Sequence, residues 1–257
     1  MVDSLRKGHF PLLVLELGDF LEVDPRKAPL VNPLLAEILA RDGVAAITPG
    51  PPEFNDWARF QELMTGQGIA VVSTNVFIEE QGRRAAAARS VVVDVEGLRV
   101  GLLGILGSEA HEKIRPPAGV GFVLQDPLEA IAEELPQLRE RADLIVVMAC
   151  TGDAEAERIA AEAPGVDVVL CGYESQSSSM AYRIGETIIN RGGSHGQYAG
   201  VTRLIVSPEN EILDWGGRNI VLYPKLPENP AVAARVRALK GEPPGSHPGL
   251  PAQEDCH

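Results

Sequence analysis

Two hydrophobic patterns alternate along the chain. Short apolar runs, often β-branched, are typical of buried strands, and they alternate with segments whose apolar residues recur at helical spacing. The predicted strands are residues 11–17, 44–48, 69–73, 90–95, 98–105, 143–148, 166–170, 181–184, 187–190 and 201–206. The predicted helices are residues 32–41, 56–65, 126–140, 154–162 and 229–240. The first of these helices places Asn32 at the N-cap and Pro33 in the first turn.

Local signals indicate how some of these strands pair. Glu96-Gly97 separates two strand-like runs and predicts a hairpin, because glycine supplies the positive φ that such turns need. Residues 143–148 are apolar without periodicity, which is typical of a strand covered on both faces. The last three strands are predicted to be antiparallel, with turns at 185–186 and 192–193. The pattern as a whole favours one α/β domain with two mixed sheets and helices outside them.

The composition of the chain excludes some classes of function. The chain has 257 residues and is 45% hydrophobic, enough for the core of one large α/β domain. Its 36 acidic residues outnumber 23 basic ones and give a net charge of −13. Non-specific binding of nucleic acid or of an anionic membrane surface is therefore excluded, since no basic surplus exists to neutralise phosphates.

The chain shows no targeting or membrane signal. No apolar run approaches 18 residues, so neither a membrane span nor a signal peptide is predicted, and the chain as written reads as cytoplasmic. Its three cysteines, Cys150, Cys171 and Cys256, form no disulfide framework. Residues 241–257 are rich in proline and glycine, which predicts a linker or disordered tail after a domain at residues 1–240.

Candidate chemistry lies where strands end. An α/β protein places its chemistry beyond the carboxyl ends of its strands. Five such segments occur in order: LELGDF (15–20), ITPGPPEFNDW (47–57), VVMACTGD (146–153), VVLCGYESQ (168–176) and INRGGSHGQYAG (189–200).

This order resembles the metallophosphoesterase domain of the 5′-nucleotidase family, within the calcineurin-like phosphoesterase superfamily. The resemblance extends from about Leu12 to Lys240 and includes flanking segments such as STNV (73–76) and EGLRVGLLGI (96–105). It implies a four-layer αββα sandwich of two mixed sheets flanked by helices. The family's first strand, with its Asp-x-His motif, has no counterpart here, so this strand is expected to be missing.

The family's chemistry does not carry over with the fold. The resemblance implies two metal ions held by Asp, Asn and His side chains, which activate water and polarise a phosphate. Asp19 matches the bridging carboxylate, and Glu53 and Phe54 match the end of the Gly-Asn-His-Glu-Phe turn. The other matched positions differ: Pro51 replaces the Asn ligand, Pro52 the catalytic His, Cys150 a His ligand, and Tyr173 and Ser175 the last two His residues.

The first functional hypothesis is a non-catalytic or repurposed domain that acts as a binding or scaffold module. Its partner would be an unidentified protein or small ligand. No cofactor is expected, although Asp19 and Cys150 are candidates for a residual divalent metal. The alternative role for Asp19 is a strand-end acid that caps backbone N–H groups.

Two further hypotheses stay open. A thiol-based redox or soft-metal site could use Cys150 and Cys171, with His195 or Glu174 nearby, so that Cys150 and His195 are the candidate catalytic residues. The structural alternatives are that both cysteines are small core residues and that His195 is a turn residue. The third hypothesis is a phosphate-ester hydrolase completed by residues outside this chain. The family is often extracytoplasmic, so the resemblance leaves the compartment open.

Overall fold

A computed structural model describes residues 2–8, 10–79, 82–173, 180–193, 196–222 and 228–241. The helices are α1 (Val2–Arg6), α2 (Ala28–Arg41), α3 (Pro51–Asn55), α4 (Trp57–Gln67), α5 (Ser108–His111), α6 (Pro127–Arg139), α7 (Asp153–Glu162) and α8 (Pro230–Lys240). The strands are β1 (Val14–Glu16), β2 (Val44–Ile47), β3 (Ala70–Val71), β4 (Val76–Glu79), β5 (Arg83–Ala85), β6 (Ser90–Val95), β7 (Leu98–Leu106), β8 (Gly121–Leu124), β9 (Leu144–Cys150), β10 (Val168–Cys171), β11 (Tyr182–Ile184), β12 (Thr187–Arg191), β13 (Tyr198–Val206) and β14 (Ile212–Val221).

Two sheets form the centre of the domain. The three-stranded sheet has the order β1-β2-β3 and is entirely parallel. The six-stranded sheet has the order β11-β12-β10-β9-β7-β6, with parallel pairing among its four central strands and an antiparallel strand at each edge. Parallel strands need both faces covered, which is why their sequences read as continuous apolar runs.

Three apolar clusters join four layers. Ala46 and Val72 of the three-stranded side pack against Leu102, Val146 and Met148 of the six-stranded sheet. The outer face of the three-stranded sheet packs on α2 and α4, and that of the six-stranded sheet packs on α6 and α7. The predicted αββα sandwich is thus confirmed. One detail was wrong, since the three-stranded sheet β1-β2-β3 is parallel rather than mixed. Two further sheets, β5-β4-β8 and β13-β14, lie outside the two main ones.

Glycine allows the two sheets to approach each other closely. A Cβ built on Gly104 of β7 would lie 2.1 Å from the carbonyl oxygen of Val72. The backbone N–H of Gly104 donates to the hydroxyl of Thr74, 2.9 Å away. A side chain at position 104 would therefore push the sheets apart at the point where their inner faces meet.

The hairpin and the last helix were predicted correctly. β6 and β7 pair antiparallel, and their turn residues Glu96 and Gly97 have φ of 54° and 95°, as the turn signal requires. Asn229 caps α8 by accepting hydrogen bonds from the N–H groups of Ala231 and Val232.

Two local predictions were wrong. Helix α2 begins at Ala28, so Asn32 is not its cap; the buried Asn32 amide instead bonds both backbone groups of Glu22. The strands at 187–190 and 201–206 do not pair with each other. β12 lies parallel to β10. β13 pairs antiparallel with the unpredicted β14, which follows it directly after the turn at residues 207–211.

The structure addresses the expectations about a membrane span and about the C-terminal tail only in part. Within the described ranges, no helix is both long enough and apolar enough to cross a membrane. The proposed tail falls almost wholly outside the described residues, so the division at residue 240 stays a prediction.

The close approach at Gly104 gives a test of the fold. We expect Gly104→Ala to lower the free energy of unfolding by about 3 kcal/mol, since backbone atoms block its Cβ. Gly66→Ala in α4 is the matched control: its Cβ meets no atom within 4 Å, so the change should be neutral or stabilise by at most about 1 kcal/mol. Urea unfolding measures both variants, and an equal effect would contradict the packing described here.

Candidate functional site

The motif-bearing strand ends meet at one edge of the sandwich. A Cβ built on Gly50, after β2, would lie 3.0 Å from the Sγ of Cys150 at the end of β9. A Cβ built on Gly172, after β10, would lie 2.9 Å from the Cβ of Leu17, after β1. The structure thus brings together loops that are far apart in sequence, and glycine is needed where their backbones touch.

Glu53 holds this edge together. Its Oε2 accepts hydrogen bonds from the N–H groups of Gly50 (2.8 Å) and Asp19 (2.9 Å). Its Oε1 accepts from Phe20 (3.1 Å) and Leu21 (3.0 Å). The side chain is fully buried, and burial raises its pKa while the four N–H groups act in the opposite direction. One carboxylate therefore ties the loop after β1 to the start of α3.

The loop held by Glu53 has an unusual backbone. Asp19 has a φ of 61°, in the left-handed region that few side chains adopt. Glycine, asparagine and aspartate are the residues that tolerate this conformation best. Asp19 is exposed and lines a cavity at this edge. Glu53 supplies a carboxylate that caps N–H groups of this loop.

Glu16 is a feature of the site that sequence reasoning missed. It ends β1, is half-buried, and accepts a hydrogen bond at Oε1 from the N–H of Leu17, 3.0 Å away. Burial and the neighbouring Glu53 carboxylate raise the pKa of Glu16 to about 7. The available signal was a single acidic residue inside an otherwise apolar run.

The two buried cysteines do not share a pocket. Cys171 pairs with Ala149 in the sheet register, so Cys150, the next residue of β9, faces the opposite side. Cys150 and Cys171 are not joined to each other by a disulfide, and both are fully buried. The Cys171 thiol donates to the carbonyl of Thr151, whereas Cys150 packs near Tyr173. Burial, followed by the nearby Glu53 and Asp19 carboxylates, raises the pKa of Cys150 well above that of an ordinary thiol. These positions match the core-residue alternative and do not favour a thiol pair.

The substituted positions have structural roles. Pro51 and Pro52 are the first residues of α3, where proline suits a helix because its absent N–H would have no partner. The ring of Tyr173 lies in the same apolar cluster as Cys150. Ser175 and His195, together with Glu174, lie outside the described residues.

A cavity of about 940 Å³ opens at this edge. Residues 12–20 line one side and residues 198–202 the other. Pro51, Pro52, Gly172 and Tyr173 also contribute to its wall. The cavity is large enough for a ligand, within the usual range for binding sites.

The described residues do not fit the dinuclear metal centre that the resemblance implies. Glu53 already accepts four backbone hydrogen bonds, and Cys150 is fully buried in an apolar cluster. Proline at 51 and 52 offers no side-chain donor atom. Among the described residues, no group of three or more His, Cys, Asp or Glu side chains is placed to hold a metal. Asp19 alone is an exposed carboxylate at a matched position.

The role of Glu53 can be tested by its removal. We expect Glu53→Ala to lower the free energy of unfolding by about 3–5 kcal/mol, because four backbone N–H groups lose their acceptor. Glu62→Ala, at an exposed residue of α4, should change it by no more than about 0.5 kcal/mol. Urea unfolding of both variants gives the comparison; a small effect at Glu53 would mean that these bonds do not anchor the loop.

The burial of Cys150 predicts low reactivity. In the folded protein at pH 8, we expect iodoacetamide to alkylate Cys150 at least about 100-fold more slowly than in urea, because the thiol is inaccessible and protonated. Peptide mass spectrometry against time measures the rate at each cysteine. Fast modification of folded Cys150, with a thiol titration near 8.5, would revive the redox hypothesis.

Comparison with known proteins identifies the fold. No family model and no curated protein matches this chain. Among solved structures, a 5′-nucleotidase precursor from Thermus thermophilus superposes with a TM-score of 0.80 at 20% identity, over 93% of this chain and 51% of that one. The sulfate thiohydrolase SoxB from Thermus thermophilus, in complex with glycerol, gives 0.79 at 18% identity, over 93% and 44%.

A third structure is shorter. The calcineurin-like phosphoesterase YfkN from Bacillus subtilis gives a TM-score of 0.71 at 18% identity, over 93% of this chain and 87% of that one. This chain therefore spans about half the length of the two Thermus proteins and most of the Bacillus structure. Its fold is that of the calcineurin-like phosphoesterases, which include the 5′-nucleotidases.

Proposed function

We propose that this chain is a phosphoesterase-like domain that works by binding, without orthodox metallophosphatase chemistry. The observation that carries the proposal is the start of α3. Pro51 and Pro52 occupy the positions that match a metal ligand and the catalytic histidine of the family, and they serve there as the first turn of a helix. The adjoining Glu53 is fully engaged with backbone N–H groups.

The charge around the cavity supports this proposal. Glu16, Asp19 and Asp42 line it, with Lys113 as a basic neighbour. A phosphate monoester carries negative charge, which carboxylates repel unless cations intervene. An acidic cavity with a deficient metal-donor set suits a neutral or basic ligand better than a phosphate ester.

The size of the cavity supports a retained binding role. Its volume of about 940 Å³ is sufficient for an organic ligand. The wall combines apolar residues such as Leu15 and Val201 with the polar groups of Glu16 and Tyr173. Such a mixture is typical of sites that bind organic ligands or peptide segments.

The two other hypotheses receive less support. A thiol site at Cys150 and Cys171 has its sulfurs on opposite faces of the six-stranded sheet. A phosphate-ester hydrolase whose missing ligands came from residues outside this chain would still have proline at positions 51 and 52. No contact or distance among the described residues specifically favours either hypothesis.

Metal content and hydrolysis test the proposal. Purified protein is dialysed against Mn²⁺, Zn²⁺ or Fe²⁺, analysed by mass spectrometry for bound metal, and assayed with p-nitrophenyl phosphate. We expect substoichiometric metal and no turnover above buffer, because the donor set is incomplete.

The matched variant is Asp19→Asn. It removes the exposed carboxylate at the matched position and should leave both the bound metal and the rate of p-nitrophenyl phosphate hydrolysis unchanged. Two metal ions per chain together with turnover on the order of 1 s⁻¹ or faster would overturn the proposal, most clearly if Asp19→Asn abolished them.

A further inference from the structure

Strand β6 forms one edge of the six-stranded sheet. Among the described strands it pairs only with β7, in a register without a bulge. None of its six residues is buried, whereas all seven residues of β9 in the same sheet are buried. Four of the six are valines, at positions 91, 92, 93 and 95. The edge of the sheet is therefore an accessible strand of mostly β-branched, apolar residues.

The contacts of β7 show which backbone groups of β6 face outward. The N–H of Asp143 donates to the carbonyl of Arg99, 2.8 Å away, so the backbone groups of Arg99 face β9. Asp94 lies directly opposite Arg99. In an antiparallel pair, the backbone groups of two opposite residues face each other or both face away. The N–H and carbonyl of Asp94 therefore face the open edge, as do those of Ser90 and Val92 by alternation.

This edge lacks the features that usually prevent an edge strand from pairing with another chain. Such features are lysine, proline, a bulge or a covering element. Strand β6 contains no lysine and no proline, and its register with β7 is regular. Its single charged residue, Asp94, accepts a hydrogen bond at Oδ1 from the N–H of Gly97, 3.0 Å away, within the β6–β7 turn. The outward-facing backbone groups are thus a template for a further strand.

We propose that two copies of this chain associate through β6, which pairs antiparallel with β6 of the second copy across a two-fold axis. The two six-stranded sheets would then form one continuous sheet. The axis that relates two antiparallel neighbours is perpendicular to the sheet, so like faces of the two copies lie on the same side. No residue of β6 lines the cavity at the strand ends, so this inference is independent of the proposed binding function.

The outward-facing groups select one register. Since like faces coincide, the axis passes through a residue of β6 and not between two residues. An axis at Val92 places Val92 opposite its own copy and Ser90 opposite Asp94. Every outward-facing N–H and carbonyl of these three residues then has a partner. An axis at Val93 would instead leave the groups of Ser90 opposite the turn residue Glu96.

Side chains and charge fit the register centred on Val92. It places each Asp94 opposite a Ser90, so no carboxylate lies directly opposite another. On the inner face of the sheet it places Val91 opposite Val93, and β-branched neighbours of this kind stabilise a strand pair. An unrelated strand would have to match this pattern, whereas a second copy supplies it by symmetry.

Sedimentation equilibrium of the full chain tests the association. Six residues per copy make a smaller contact than the roughly 20–30 of a standard interface, so we expect a reversible dimer with a dissociation constant on the order of 10–100 µM. Each copy carries a charge of −13, so added salt should strengthen the association by screening repulsion. A monomer at all concentrations up to about ten times this range, with and without added salt, would overturn the proposal.

Engineered cysteines test the register. In the proposed register, Val91 of one copy and Val93 of the other form a non-hydrogen-bonded pair with Cα atoms about 4.5 Å apart, within reach of a disulfide. A mixture of Val91→Cys and Val93→Cys chains, each also carrying Cys256→Ser, should form a mixed disulfide on mild oxidation, which peptide mass spectrometry detects. Cys150 and Cys171 are fully buried and should not compete.

Val93→Cys alone is the matched control. Its two copies lie diagonally across the pair, about 7–8 Å apart, so it should form no disulfide. A disulfide in this control would place the axis at Val93 and contradict the register. Absence of a disulfide in both samples would contradict the pairing of β6 with its copy.

A proline at the centre of the pairing separates this mode of association from others. Val92→Pro removes an N–H that faces the open edge, where an edge strand tolerates proline, and should raise the dissociation constant of the dimer by about tenfold or more. Val92→Thr keeps the N–H and the branched shape and should leave it unchanged. Circular dichroism checks both folds, and the cysteine experiment decides if the proline variant unfolds. A dimer that a folded Val92→Pro variant forms equally well would overturn the proposal.

Discussion

The Glu53 carboxylate is the constraint on which the functional edge depends. Its two oxygens bond backbone N–H groups on both sides of a junction between the loop after β1 and the first turn of α3. Those segments are separated by more than 30 residues in sequence, so the acid fixes where the first two strands end relative to each other. Removal of such an acceptor leaves buried donors without partners, an energetic penalty larger than a typical hydrogen bond contributes. The shape of the cavity follows from this junction, because the loop that Glu53 holds also forms part of its wall.

Much of the fold could be predicted because it leaves local marks in the sequence. Apolar runs gave β7 and β9, glycine placed the β6–β7 turn, and Asn229 marked the start of α8. What escaped prediction has no clear pattern of its own in the sequence. The strand at Ile212–Val221 follows β13 after a short turn, but Gly216, Gly217 and Arg218 interrupt its apolar pattern. The cap-like Asn32 lies inside a longer helix and bonds the backbone of Glu22.

The candidate site was predictable as a place, because its residues lie at strand ends. Motif order located the strand ends correctly, and the structure places Pro51 and Pro52 at the start of α3 beside them. That β1 and β13 end their sheets among the described strands could not be anticipated in the same way. Whether a strand lies at a sheet edge depends on what lies beside it, which is a property of the folded arrangement and not of the strand's own residues.

The left-handed backbone at Asp19 changes how its agreement with the family motif should be weighed. Steric exclusion leaves glycine, asparagine and aspartate as the residues best suited to that conformation. Any protein that keeps this loop shape draws from a short set of side chains at this point, whatever chemistry it performs. An aspartate here therefore carries less information about metal ions than an aspartate on an unrestricted backbone would. Positions 51 and 52 lie in the first turn of a helix, whose backbone carries no such restriction.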